Sequence, residues 1–213
     1  MKQRSLFITF EGCEGCGKST HSKLLSRYLA DNNISAVLTR EPGGTVAAEK
    51  IRQILLDHNL SLEHISELLL HFAARVEHAA NVIVPNLKRD KVVICDRFYD
   101  STIAYQHYGH GLDLGVMNQM HQAFLNNLMP DVTFLLDISE DIFLQRRDKK
   151  AAQYTDRYEQ LQDEFHMKVR AGFLDIASKN QNRFYTIDTS GSNVQNAQNQ
   201  IIEVVSKFLN MQS

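Results

Sequence analysis

Residues Gly12 to Ser19 read Gly-Cys-Glu-Gly-Cys-Gly-Lys-Ser, directly after the apolar run Leu6–Phe10 and directly before a helix-period segment. The pattern G-x-x-x-x-G-K-[ST] has a physical meaning in this setting. Glycines let the backbone curl so that Gly12, Cys13, Glu14, Gly15, Cys16 and Gly17 turn N–H groups toward phosphate oxygens. Lys18 adds a point charge, Ser19 can hold a magnesium ion, and Thr20 continues into the helix. At ordinary glycine usage the bare pattern arises by chance in about one chain in a hundred of this length. A strand–loop–helix that cradles phosphate is the first constraint on the fold.

The 213 residues suffice for one well-buried domain and are few for two. Charge is nearly balanced, 23 basic against 25 acidic residues, so neither a nucleic-acid partner nor an anionic membrane surface is expected. No apolar run approaches the ~20 residues of a membrane span, and the five-residue run after Met-Lys-Gln-Arg is too short for a signal-peptide core. Three cysteines, an odd number, argue against a disulfide framework and for a reducing, cytoplasmic setting. Cys13 and Cys16 form a C-x-x-C, but both occupy variable positions of the phosphate loop and Cys95 lies far away. They read as loop residues rather than as a redox pair or half a zinc site.

Apolar runs alternate with helix-period stretches along the chain. The strands expected are Leu6–Phe10, Ala36–Thr39, Val92–Cys95, Val132–Asp137 and Phe184–Ile187, nearly continuous in apolar character as parallel strands covered on both faces require. The helices expected are Ser19–Asp31, Thr45–Leu56, Leu62–Leu87, Ser101–Leu128, Glu140–Arg147, Arg157–Ser178 and Asn193–Leu209. Right-handed crossovers then give one α/β domain over residues 1–213, three-layered, with a five-stranded parallel sheet flanked by helices. The polar, basic segment Asp148–Asp156 reads as an inserted mobile lid, at about residues 146–157. Ligands of such sheets bind at the carboxyl ends of the strands, so five loops beginning at Glu11, Arg40, Asp96, Asp137 and Asp188 should surround one crevice.

Asp96 ends an apolar strand beside the phosphate loop, where a carboxylate holds magnesium directly or through water. Arg97 next to it supplies a bidentate grip on phosphate. Two phosphorylated substrates in one cleft repel, at about 4 kcal/mol per close pair in a medium of effective dielectric 20. Cations must therefore be provided: Lys18, Arg97, magnesium, and a group from the basic run Arg146, Arg147, Lys149, Lys150 and Arg157.

Longer matches then come into view: Phe10-Glu-Gly-Cys-Glu-Gly-Cys-Gly-Lys-Ser-Thr20, Thr39-Arg-Glu-Pro-Gly-Gly-Thr45, Ala73-Ala-Arg75, Asp96-Arg-Phe-Tyr-Asp-Ser-Thr-Ile-Ala-Tyr-Gln106 and Asp156-Arg-Tyr-Glu159. With these, from residue 5 to about residue 190, the chain resembles the thymidylate kinase family in its bacterial form. The resemblance implies a P-loop nucleoside-monophosphate-kinase fold with a short lid, ATP and Mg²⁺ as cofactors, dTMP as the small-molecule substrate, and a homodimer. It assigns Glu14 to the 3′-hydroxyl side of the nucleotide and Arg97 to the acceptor phosphate. Arg75 falls on the thymine-bonding arginine, Thr102 and Gln106 on pocket positions near the base, Arg52 on a further basic position, and Tyr105 on the tyrosine that crowds the 2′ position. A donor-only guanidinium suits a carbonyl oxygen, and a Gln amide can pair with N3–H and a neighbouring carbonyl. Glu41 is expected to support the magnesium waters, and the Ser190-Gly191 loop to lie against adenine.

Position 15 is Gly where one branch of the family has a basic residue, so the lid is expected to supply the catalytic cation, with Arg147 and Arg157 as the named choices. Four residues before Arg75 the family usually has Phe; here His71 stands there with Phe72 beside it. His71 shares the helix face of Arg75 and is the geometric choice for the base platform, with a charge that depends on pH; Phe72 serves if the helix is locally irregular. The implied reaction is in-line attack of the acceptor phosphate on the γ-phosphorus, accelerated by positioning and charge neutralisation. Other readings are a P-loop kinase for a different nucleoside or nucleotide and a non-catalytic nucleotide switch. The switch lacks N-K-x-D, and no G-x-G-x-x-G supports a dinucleotide enzyme.

Overall fold

A computed structural model describes residues 5–151, 157–158, 162–191 and 193–210, with the side chains of 147–151 excepted. Five strands, β1 Leu6–Glu11, β2 Ala36–Arg40, β3 Val92–Asp96, β4 Val132–Asp137 and β5 Phe184–Asp188, form one parallel sheet in the order β2-β3-β1-β4-β5. Each expected strand is present. Four run one residue further, onto the polar residues Glu11, Arg40, Asp96 and Asp188, because those residues still join the ladder, as Arg40 opposite Asp96 and Asp137 opposite Asp188.

Successive residues of β1 face opposite sides. Leu6, Ile8 and Phe10 enter a core with Leu25, Phe134, Phe173 and Val205. Phe7 enters a second core with Leu68, Phe72, Val93, Phe98 and Met117. The helices covering these cores are α1 Lys18–Asp31, α2 Val46–Leu56, α3 His64–His78, α4 Val84–Leu87, α5 Tyr99–Thr102, α6 Leu114–Leu125, α7 Glu140–Ala151, α8 Asp163–Lys179 and α9 Val194–Leu209.

Two long expected helices are irregular. The stretch expected as Leu62–Leu87 is α3, a π-helical turn Ala79–Ile83, and α4. Pro85 explains the change: it has no N–H to return to residue 81, so the turn before it widens. The stretch expected as Ser101–Leu128 begins as α5, becomes π-helical over Ile103–Gly109, and breaks. Gly111 at φ +76° and Asp113, whose carboxylate accepts the Val116 N–H at 2.8 Å, end one helix and cap the next. The π-helical stretch can meet α8 closely because Gly172 is bare: a Cβ there would lie 2.6 Å from Cγ of Tyr108.

The lid is corrected in part. Helix α7 runs through Ala151, so the first half of the expected loop is helical, and residues 152–156 lie outside the described residues. Arg157 and Tyr158 form a turn rather than the start of a helix, which begins at Asp163. No helix among the described residues is long and apolar enough to cross a membrane.

Candidate active site

The carboxyl ends of β1, β2 and β3 open onto a cleft of about 400 Å³. Its floor is the loop between β1 and α1. Gly12 adopts φ +133°, and a Cβ there would stand 2.3 Å from the Leu136 carbonyl oxygen, so β4 packs against the loop only because residue 12 has no side chain. The Lys18 ammonium donates to Cys13 O at 2.7 Å and lies over the loop. Ser19 Oγ meets the Asp96 carboxylate at 2.5 Å. This hydroxyl and carboxylate form an oxygen-only donor pair, the set a hard divalent cation takes.

Cys13 and Cys16 are buried and free, as is Cys95. Burial, reinforced by Cys16, pushes the Cys13 thiol up to about 12, a setting that keeps it a thiol rather than a reactive thiolate.

Arg97 sits at φ +69°, a region costly for a residue with a side chain and found where surroundings over-determine the backbone. Its N–H bonds Phe10 O at 2.9 Å. Its guanidinium reaches Gly12 O at 3.0 Å, Ser101 Oγ at 3.1 Å and Glu14 at 3.2 Å, and lies 5.2 Å from the centre of the Tyr105 ring. The strained turn thus ties the end of β3 to the phosphate loop.

The opposite wall comes from α3 and the π-helical stretch. Glu67, His71 and Arg75 recur at spacing four on one face of α3. His71 lines the cleft, whereas Phe72 is buried in the second core, 6.0 Å from Tyr99 ring to ring; of the two, His71 is the one that faces the cleft. Burial and the repulsion of Arg75 and Arg157 press the His71 imidazole down to about 3, so the expected dependence of its charge on pH is corrected: it stays neutral near pH 7. Arg75 is buried, donates to Thr102 Oγ1 at 2.8 Å and Phe98 O at 3.1 Å, and its Nη1 has no hydrogen-bond partner among the described residues. Gln106 likewise presents an unpartnered buried Oε1. Tyr105 is buried beside Arg97, and desolvation raises its phenol above the usual range. Arg52 lines the cleft and bonds Pro42 O at 2.9 Å.

Two expectations change. Glu41 is expected with the metal, yet its carboxylate takes Arg75 Nε at 2.6 Å and pairs with His78 Nδ1 at 2.9 Å, because burial between β2 and α3 leaves it facing that guanidinium and that imidazole; it anchors Arg75. Arg157 does not reach toward the phosphate loop but pairs with the buried carboxylate of Glu67. The side chain of Arg147 lies outside the described residues. Arg146 is the α7 residue over the loop, donating to Gly15 O at 2.9 Å and Thr189 O at 2.8 Å.

Glu67 and Tyr158 were given no role by sequence; Glu11 entered only as the start of a crevice loop, and Arg146 only as one member of the basic run. For Glu67 a signal existed: a polar stripe, Glu67, His71, Arg75 and His78, on a helix whose neighbours Leu68 and Phe72 are core. Glu11 accepts the Phe98 N–H at 2.7 Å, and desolvation together with Asp100 pushes its carboxyl up to about 8.

A family profile described as thymidylate kinase matches residues 10–201. The thymidylate kinase of Geotalea daltonii is 45% identical over 194 residues, 88% of this chain and 90% of that one. That of Wolbachia pipientis subsp. Culex pipiens is 45% identical over 207 residues, 95% of this chain and 96% of the other. Among solved structures, the crystal structure of thymidylate kinase from Ehrlichia chaffeensis superposes with a TM-score of 0.76 at 39% identity, covering 95% of this chain and 99% of that one.

Proposed function

The chain belongs to the thymidylate kinase family, which uses ATP to phosphorylate dTMP to dTDP, and from that premise we propose how its cleft divides the work. ATP lies on the loop Gly12–Thr20 with Lys18 at the phosphates. Ser19 and Asp96 hold magnesium, whose chemistry there is to screen the charge of phosphate oxygens. Arg97 holds the acceptor phosphate of dTMP, which brings its own nucleophilic oxygen, so the protein contributes position and positive charge. Glu14 meets the 3′-hydroxyl side, Tyr105 crowds the 2′ position, Arg52 adds charge at the rim, and neutral His71 stacks on the base.

The observation that carries the base assignment is the pair of unpartnered buried atoms. Arg75 Nη1 is a donor and Gln106 Oε1 an acceptor, complementary to a thymine carbonyl and its adjacent N3–H. An unpaired buried polar atom costs about 1–3 kcal/mol, and a ligand that satisfies both regains it. Cytosine, with an acceptor at N3 and an amine at C4, opposes both.

For the remaining cation, Arg146 already spans Gly15 and Thr189 at the loop's open side, next to the Ser190-Gly191 turn proposed to meet adenine. Arg146, Arg147 and Arg157 are the residues to compare for contact with the transferred phosphoryl. We take residues 1–213 as one catalytic domain acting in the cytoplasm, which three free thiols fit, and as a homodimer.

The test is a coupled assay of ADP release with dTMP, dUMP, dCMP, AMP and GMP, run on wild type and Arg97→Ala. Wild type should prefer dTMP and reject dCMP. Arg97→Ala should lose on the order of 10²-fold or more in dTMP turnover with ATP affinity retained. Unchanged turnover would remove Arg97 from the acceptor site.

A further inference from the structure

We propose that Glu67, which touches no part of the expected substrate, is the positioning residue that makes this kinase select thymine over cytosine, by dictating which end of the Gln106 amide faces the base. The inference rests on the reading that Arg75 and Gln106 face the base.

Glu67 is 2% exposed and its carboxylate is surrounded by donors. Oε1 accepts Gln106 Nε2 at 2.8 Å and the Tyr158 hydroxyl at 2.9 Å. Oε2 accepts a hydrogen bond from Arg157. Tyr158, having given its one proton to Glu67, can only accept from His71, whose Nε2 is 2.8 Å away. Neutral His71 therefore carries its proton on Nε2. Every hydrogen bond in this chain runs toward Glu67.

With Gln106, Tyr158 and Arg157 all donating to it, the Glu67 carboxylate serves this cluster as the acceptor. Turning the Gln106 amide over would set Oε1 against a carboxylate oxygen at hydrogen-bond distance, two acceptors face to face in a buried site, and would leave the amide nitrogen pointing into the cleft. Glu67 forbids that arrangement, so Oε1 is what the base meets. An acceptor there pairs with the N3–H of thymine or uracil and is repelled by the bare N3 of cytosine. The atom that discriminates belongs to Gln106; the choice of that atom belongs to Glu67.

The same carboxylate lies near His64 and His110, whose ligand-type atoms and its own fall within 4.8 Å of one another. The two imidazoles are stacked at 3.9 Å, and His110 Nε2 stands 3.8 Å from Oε1, beyond a hydrogen bond. With Gln106, Tyr158 and Arg157 already on the carboxylate, the arrangement favours an amide lock over a metal site.

Glu67→Gln tests the lock, since a glutamine there offers either an oxygen or an NH₂ and lets Gln106 adopt both orientations. The ratio of kcat/KM for dTMP over dCMP should fall roughly tenfold, with KM for ATP unchanged. The ratio for dTMP over dUMP should not move, because the two bases present the same edge to Gln106. If the dTMP/dCMP ratio holds within about twofold, the proposal is overturned. If both ratios fall together, it is also overturned, because general damage to the pocket explains the result. Should Glu67→Gln fail to fold, the wild-type enzyme decides. The Gln106 side-chain amide protons should be protected from solvent exchange by NMR without nucleotide, and rapid exchange would sink the idea. Gln106→Met separates the two layers. If it leaves the dTMP/dCMP ratio intact, the base-pocket reading itself fails; if it lowers the ratio while Glu67→Gln does not, only the role of Glu67 fails.

Discussion

Arg97 shows how one residue can be set by backbone geometry before its charge matters. Its φ of +69° costs energy for a side-chain-bearing residue, and the return is a guanidinium fixed to Gly12 O, 3.0 Å away on the phosphate loop. His71 shows the opposite control, in which surroundings rather than backbone decide. Burial and nearby guanidinium groups hold its imidazole at about 3, below the ordinary 6.5. In the folded protein it therefore stays neutral through the window in which an unfolded histidine would charge. Its contribution to stability is present above pH 6.5 and is lost as pH falls from there toward 3. Binding should behave accordingly. The Kd for dTMP of wild type and of His71→Phe, measured calorimetrically from pH 5 to 8, should give parallel profiles, with affinities within about threefold of each other. A step near pH 6.5 that only wild type shows would mean that the ring charges on binding.

At the scale of elements, the junction of β1, β3 and α5 holds a second titration of opposite sense. Glu11 ends β1 on the buried side of the sheet, with Phe98 N–H and Ser101 as partners. Its carboxyl is pushed from 4.5 up to about 8, so the folded state keeps a proton that the unfolded chain releases above pH 4.5. Stability from this group accordingly falls as pH rises through 4.5 to 8. Glu11→Gln preserves the shape of the protonated acid and cannot ionise. Its stability relative to wild type, from urea unfolding at pH 5 and pH 8, should rise with pH by an amount on the order of a few kcal/mol. A difference independent of pH would show that Glu11 is ionised in the folded enzyme. The π-helical stretch Ile103–Gly109 belongs to this scale too. It carries both Tyr105 and Gln106, and local departure from the α ladder is often found where a helix must aim side chains into a site.

For the whole molecule, the sheet order brings the ends of β1 and β3 together under one cleft, with α3 as its far wall. Away from the cleft, α3 and α6 expose Ile65, Leu69, Val116 and Phe124, Phe124 by 58%. Exposed apolar side chains of that size on neighbouring helices are what a self-association surface needs. If the proposed homodimer forms there, Leu69→Lys should shift the sedimentation profile at micromolar concentration from dimer to monomer, since a buried unpaired ammonium is costly. A dimer that survives unchanged would move the interface elsewhere.

The phosphate loop, the strand-end acids and the parallel sheet were legible from residue order, because each depends on neighbours a few positions apart. Glycine tolerates the φ that Gly12 needs, apolar runs must be covered on both faces, and parallel strands leave their loops at one end. Arg75 and Gln106 were legible as a donor and an amide, but not their orientation. That was decided by partners far away in the chain: Glu41 bonds Arg75 across 34 residues and Glu67 bonds Gln106 across 39. Glu41 could equally have faced a metal, and Arg157 the phosphate loop, as far as spacing could tell. Burial settled both, since a carboxylate removed from water must turn toward whatever cation or donor the packing brings within reach.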